Sequence, residues 1–467
     1  MGPTDAERTL AEADVESLLH PFTSIPEHLE GGPRIVERAA GVRVWDREGR
    51  EYIDAMAGLW CVNAGYGREE IARAMEEQAR RLPYYHSFLS YSNEPAIRLA
   101  ERLLRDAPGS ASKVFFANSG SEANETQVKL IWYYNNLRGR PEKKKLLART
   151  GGYHGVTLGA ASLTGLPLLH DSFDVPLARF RHLGKPHFYR QGREGESERD
   201  FSRRLARELE EVIEREGPES VAAFFAEPVM AAGGVIPPPE GYFEEIVPVL
   251  REYDVLLVAD EVVCGFGRLG SRYGCDRFGL EPDLVTLAKG LTSAYFPMSA
   301  AIVSEGIWQV LREHPAPLGL FGHGHTTSGH PVGAAAALAN LDLIEGEGLV
   351  ERAARVGGHL QRRLRAAFSG HPLVGEVRGL GLIAAVELVA DRSSRAPFDP
   401  VLGVGRRLHE HLREEGLLCR AIGDSLAFSP PLVIGEEEVD EVVRRFERGL
   451  ERLARELESE GAWRRVS

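Results

Sequence analysis

Val255-Leu256-Leu257-Val258-Ala259-Asp260 and, after a polar interval, Leu284-Val285-Thr286-Leu287-Ala288-Lys289-Gly290 are two short apolar runs that each empty into one charged residue. Runs of this length, apolar throughout rather than alternating, suit strands buried on both faces of a parallel sheet. Similar runs at 113–117, 145–149, 221–226 and 298–304 alternate with helix-like stretches, among them 121–137, with Val128, Ile131 and Trp132 on one face, and 241–253 after a proline-rich turn. The pattern predicts a doubly wound α/β domain. Strand carboxyl ends are where ligands sit in such sheets, so Asp260 and Lys289 are the first candidates for chemistry.

Each has a plainer alternative. Asp260 caps the next turn just as well, and a lone lysine is usually solvated. The lysine, however, is rare here: the chain has seven lysines against 49 arginines, and Lys289 alone lies where an apolar strand ends. An amine there loses water, which lowers its pKa and prepares it for Schiff-base chemistry. A third feature, Ala117-Asn118-Ser119-Gly120-Ser121-Glu122, is a glycine-serine turn between a predicted strand and a predicted helix. It reads either as an ordinary serine cap or as a phosphate seat on a helix N-terminus. Phosphate seat, carboxylate and amine on one sheet edge form a constellation.

Two other motifs point elsewhere. Gly265-Phe266-Gly267-Arg268-Leu269-Gly270 has dinucleotide-binding spacing, but Asp260 and Glu261 intervene before it and no helix packing face follows. His323, His325 and His330 match no zinc-ligand spacing and have no acidic neighbour, so no metal is expected.

The rest of the chain sets the context. It has 467 residues, 43% of them apolar and 27% charged, which excludes a disordered or fibrous chain. A formal charge of -13 argues against nucleic acid or an anionic membrane as partner. Four cysteines with no Cys-x-x-Cys pair suit a reducing cytoplasm. The first fifteen residues, with four acids, do not read as a leader, and the longest apolar stretch, 221–236, is too short to span a bilayer and carries Glu227 and Pro228. A short meander is expected over 34–53, a helix from Pro331 to about Glu345, a run at 374–388, a strand near Leu417 and a last helix from Glu436 to about Glu458, with exposed loops at 190–200 and 391–400.

Taken in order, Asn118 to Asn124, Gly152-Tyr153-His154-Gly155, Glu227-Pro228, Asp260-Glu261-Val262 through Gly267-Arg268, Ala288-Lys289-Gly290 and Thr326 to Pro331 resemble the class III, fold type I pyridoxal-phosphate aminotransferases. The resemblance implies a large domain (69–334) with a mostly parallel mixed sheet flanked by helices, and a small α/β domain from 1–68 and 335–467. It implies pyridoxal 5'-phosphate as cofactor, with Lys289 forming the internal aldimine and then moving the proton, and Asp260 pairing with the ring nitrogen. Tyr153 and Val262 would enclose the ring, Ser119, Gly120 and Ser121 would hold the phosphate, and His154 and Glu227 would complete the pocket. Thr326 in such enzymes reaches the phosphate from the partner subunit, so a homodimer or dimer of dimers is implied.

Within the class the chain looks most like the ω-amino acid or amine:pyruvate subgroup. Phe22, Trp60 and Phe88, with Tyr153, match its substrate pocket, and Arg420 matches the arginine that binds the carboxylate of an oxo-acid acceptor such as pyruvate. A planar guanidinium fork suits that task, and Arg420 is expected to be mobile because an apolar amine needs the cation out of the way. His325 and Thr327 stand where many relatives carry aromatic residues, which bears on substrate choice. The alternatives are a same-fold enzyme of other chemistry, such as an aminomutase, and a nicotinamide-dependent oxidoreductase.

Overall fold

The computed structural model describes residues 9–314 and 319–464. Residues 1–8, part of the leader reading above, lie outside the described residues. A seven-stranded sheet forms the centre, in the spatial order Ala111–Ala117, Ser299–Ser304, Leu284–Leu287, Leu256–Asp260, Val221–Ala226, Lys145–Arg149, Phe180–Leu183. Ser299–Ser304 runs antiparallel to both its neighbours, while the other paired strands are parallel. Val221–Ala226, Leu256–Asp260, Leu284–Leu287 and Ser299–Ser304 are buried at every position, because helices cover both faces. That double covering is why these runs lack the alternation of a half-exposed strand.

The helix Gly120–Leu137 follows the first strand and buries Ala123, Asn124, Thr126, Gln127, Val128, Leu130, Ile131 and Tyr134. Its N-cap is Ser119, whose hydroxyl accepts the Glu122 N–H at 3.2 Å.

The chain ends meet in smaller sheets. Val36–Ala40, Arg43–Asp46 and Glu51–Asp54 form an antiparallel meander, and Leu417–Leu418 adds to it in parallel, with Leu417 opposite Ile53. The third sheet orders Val374–Leu380, Ile383–Leu388, Ser425–Phe428 and Arg420–Ile422. Arg420 therefore sits where the chain crosses from one small sheet to the other.

Several boundaries differ from the sequence reading. The run at 374–388 is a hairpin, turned at Gly381, whose φ is 59°. The loop read at 190–200 is only 192–197: Phe188–Gln191 is helical, and Ser197 caps the helix Glu198–Glu216 by accepting the Asp200 N–H at 3.1 Å. Phe180–Leu183, Phe-Arg-His-Leu, is an edge strand too short and too charged to stand out in the sequence. The glycines of 265–270 serve packing. A Cβ on Gly270 would lie 2.8 Å from the Ala354 backbone, and Arg268 beside it is buried, donating to the Leu382 carbonyl and Asn63 Oδ1. Among the described residues no helix is long and apolar enough to cross a membrane.

Candidate active site

Asp260 ends its strand with 3% of its surface exposed, so its carboxylate needs donors. It has three: Asn124 Nδ2 at 2.9 Å and His154 Nδ1 at 2.8 Å on Oδ2, and the Val262 N–H at 3.1 Å on Oδ1. Asn124 is itself oriented, because its Oδ1 accepts the Thr286 hydroxyl at 2.9 Å and its amide also donates to the His154 carbonyl. The carboxylate is thus fixed from the helix Gly120–Leu137, from the 152–155 turn and from the turn that follows its own strand.

One strand over, Lys289 opens on the same space. Its φ of 44° lies in the left-handed region that non-glycine residues rarely occupy, a conformation that recurs where backbone is held for function. Among the described residues no group hydrogen-bonds or ion-pairs its amine; its Nζ lies 6.0 Å from the Trp60 ring centroid. Burial pushes this amine below the ordinary lysine value, against the pull of Asp260 and Glu227.

The anion seat lies on a third element. The N-terminus of Gly120–Leu137 presents backbone donors at Gly120 and Ser121. Glycines let backbone close around it: a Cβ on Gly155, at φ 128°, would fall 2.5 Å from Ser121 Oγ, and one on Gly120 would press on Val262 at 3.3 Å. The Ser121 hydroxyl accepts the Val156 N–H at 3.1 Å, tying that turn to the helix.

All these groups line one cavity of about 1490 Å³, together with Phe22, Trp60, Ser119, Tyr153, His154, Glu227, Val262 and Arg420. Glu227 is buried and spends its two oxygens on the Tyr153 and Ala231 N–H groups at 3.1 and 2.9 Å; burial raises its pKa. Arg420 is half-buried, its guanidinium 5.2 Å from the Trp60 ring centroid, and burial lowers its pKa. Among the described residues no carboxylate pairs with it, which leaves a desolvated cation facing the cavity. The arrangement offers an anion seat, a fixed carboxylate, an amine unpaired among the described residues and a second cationic group on the cavity wall.

Phe88 lies apart from the other expected pocket residues, as does Thr326, which is expected to serve the partner subunit. Phe88 and Thr326 do not line this cavity; both are exposed, Phe88 at 44%, on a patch where the Tyr84 hydroxyl donates to the Thr326 carbonyl at 2.6 Å. Thr327 Oγ1 donates to Asn118 Oδ1 at 2.7 Å, and His325 Nε2 is buried without a hydrogen-bond partner among the described residues. His323 lies 2.9 Å from both Thr126 Oγ1 and Lys129 Nζ, and its pKa falls to about 4 through burial and the lysine charge.

Some working residues escaped the sequence reading. Asn124 was visible only as the end of a motif, yet it positions Asp260. Glu125 accepts from Thr157 Oγ1 and from the Gly159 and Ala160 N–H groups at 2.6, 3.0 and 3.1 Å, so it anchors the loop after His154. Its signal was a carboxylate on the buried side of the helix three residues after Glu122. Cys61, whose thiol burial raises, also lines the cavity.

The donor set fits an aromatic cofactor that carries a phosphate at one end and a ring nitrogen at the other. The family model for class-III aminotransferases matches residues 27–450, and the chain belongs to that family: it is an aminotransferase. The chain is 49% identical over 461 residues to a diaminobutyrate–2-oxoglutarate transaminase of Halomonas elongata, covering 97% of this chain and 98% of that protein. It is 47% identical over 442 residues to a mitochondrial gamma aminobutyrate transaminase of Solanum lycopersicum, with coverages of 94% and 86%. The crystal structure of the ω-transaminase of Pseudomonas jessenii in complex with PMP matches with a TM-score of 0.94 at 50% identity, over 96% of this chain and 99% of that one. The likeness to ω-transaminases agrees with the subgroup read from the sequence.

Proposed function

We propose that the chain transfers an amino group from an amine or ω-amino acid to pyruvate or a similar oxo acid, uses pyridoxal 5'-phosphate, and works as a homodimer. The observation that carries this reading is the grouping around one cavity of an amine and a guanidinium, both unpaired among the described residues, with a triply anchored carboxylate. When bound, the cofactor supplies an electron-withdrawing ring that stabilises negative charge on the donor's reacting carbon. The backbone donors of Gly120 and Ser121 would hold its phosphate, Asp260 its ring nitrogen, and Tyr153 and Val262 its faces.

Lys289 has two tasks. With the cofactor bound, its amine, whose pKa burial lowers, would hold the cofactor by its carbonyl carbon, and Nζ would then move the proton from the donor carbon to that cofactor carbon. Asp260 needs a fixed position for its task, which Asn124 and His154 provide. Arg420 binds the acceptor's carboxylate; resting on Trp60, it is desolvated in advance, so a carboxylate gains a charge-assisted fork without displacing an ion pair. The wall of Trp60, Met56, Leu59 and Phe22 accepts an apolar donor when the carboxylate is absent.

The homodimer is supported by the exposed patch of Tyr84, Tyr85, Phe88, Leu89 and Tyr91, packed on the loop carrying Thr326. Contiguous apolar surface of this kind marks an interface. On this reading Thr326 and Phe88 complete the partner's cavity.

A donor screen tests the function. Holoenzyme is supplied with an ω-amino acid, a diamine or an aromatic amine, with pyruvate or 2-oxoglutarate as acceptor, and alanine or glutamate is measured. Acceptor-dependent amino acid formation is expected; turnover of a donor without any oxo acid would mark an aminomutase instead.

A further inference from the structure

The N-terminal segment has no core of its own. Neither the helix Leu10–Ser17 nor the helix Ile25–Gly31 contains a buried residue, and Leu10, Leu18, Leu19, Phe22, Ile25 and Leu29 are all more than half exposed. Three side chains nevertheless converge between the helices. Asp14 Oδ1 lies 2.8 Å from His20 Nε2 and 3.2 Å from His28 Nε2, and the three ligand atoms all fall within 4.8 Å of one another. The two imidazoles lean together with centroids 4.3 Å apart.

A hydrogen bond from His20 accounts for Asp14 and His20 but not for His28. The His28 side chain is only 10% exposed, and its Nε2, buried and aimed into the cluster, makes no aligned hydrogen bond among the described residues although Asp14 Oδ1 lies 3.2 Å away. Such an orphan is costly unless something else satisfies it. Around a tetrahedral zinc ion, at Zn–N and Zn–O distances near 2.0–2.2 Å, neighbouring ligand atoms stand about 3.3 Å apart. Two of the separations here need shifts of only a few tenths of an ångström to reach that. Two imidazoles and one carboxylate form a borderline donor set that favours zinc or a neighbouring late transition ion over magnesium or calcium.

We propose that Asp14, His20 and His28 form a zinc-class metal site that staples the N-terminal segment, with water as fourth ligand. No sequence spacing reveals it, because the ligands come from two helices and the loop between them. Pro21 and Phe22, which follow directly on His20, line the active-site cavity, so the ion fixes the loop that forms part of its wall. The site would do for a segment without a core what structural zinc does for small domains. The site itself does not depend on the catalytic reading above; only the folding check below draws on its cofactor.

The test is calorimetric titration of Zn²⁺ into holoenzyme in a non-coordinating buffer, for wild type, His28→Ala and the double variant Asp14→Asn/His28→Ala. Retention of the cofactor absorbance band serves as the check on folding. Wild type is expected to bind about one ion per chain, and His28→Ala to weaken binding at least about tenfold, the loss that even outer partners of a metal site carry. Hydrogen exchange at 18–24 should slow with Zn²⁺ in wild type and not in the double variant. Equal affinity in all three proteins, absence of binding in wild type, or exchange insensitive to Zn²⁺ overturns the proposal. Should a variant lose the cofactor band, the wild-type exchange experiment with and without chelator decides alone.

Discussion

Replacing Arg420 with alanine should separate acceptors by whether they carry a carboxylate. The guanidinium has no ion-pair partner among the described residues and rests on Trp60 at 5.2 Å, so its removal leaves no orphaned carboxylate behind. The fork offers a bound carboxylate two charge-assisted hydrogen bonds, each about 1.5–3 kcal/mol, part of which is consumed in desolvating the substrate anion. A net loss of about 3 kcal/mol corresponds to roughly 10²-fold in kcat/KM for pyruvate. An aldehyde acceptor with no carboxylate should stay within about threefold of wild type. Thermal stability should barely move, because the lost cation–π contact, about 0.5–2 kcal/mol, is offset by removal of a desolvated charge. The assay is initial rate against acceptor concentration with one saturating amine donor. Arg420→Lys, which keeps the charge and loses the fork, should recover only part of the pyruvate activity. Equal losses for pyruvate and the aldehyde would refute the assignment and make Arg420 a packing residue.

The other predictions concern the pocket, the assembly and pH. Gly155→Ala places a Cβ 2.5 Å from Ser121 Oγ at a φ of 128°, so it should cost about 2–4 kcal/mol, lower Tm by several degrees and weaken pyridoxal phosphate binding, measured by scanning calorimetry and cofactor titration. Lys289→Ala and Thr326→Ala subunits, each impaired alone at limiting cofactor, should regain activity when refolded together, because a mixed dimer contains one site with both natural residues; no recovery would place Thr326 in its own subunit's site. The Glu261 carboxyl, buried and accepting the Gly274 and Cys275 N–H groups at 2.8 and 2.6 Å, is raised by desolvation from its usual 4.5 to about 7. An acid whose folded pKa is raised binds more protons folded than unfolded, so its contribution falls as pH rises from about 4.5 through 7. Glu261→Gln should flatten the fall in Tm between pH 5 and 8, and an unchanged slope would count against that reading.

The fold was legible where burial on both faces made strands plainly apolar: 145–149 and 221–226 coincide with the observed strands, and 284–288 differs by one residue. It was hard to read where tertiary context decides, as in the charged edge strand Phe180–Leu183 or the loop shortened by the Ser197 cap. In the site, strand-end position singled out Asp260 and Lys289 from their neighbours. The sequence gives His154 as a pocket residue and Asn124 as the end of a motif, but that both orient Asp260 did not show, because they reach it across 106 and 136 positions of sequence. Phe88 and Thr326 are assigned by resemblance and not by spacing; their surroundings are a surface patch.

The most direct test of the account asks which lysine carries the cofactor. Borohydride reduction of the holoenzyme, followed by peptide mapping, is simple in a chain with seven lysines. Pyridoxyl label on Lys289 alone is the predicted result. Label on Lys143, Lys144 or Lys185, whose pKa values burial also lowers, or an unlabelled but fully active protein, would contradict it.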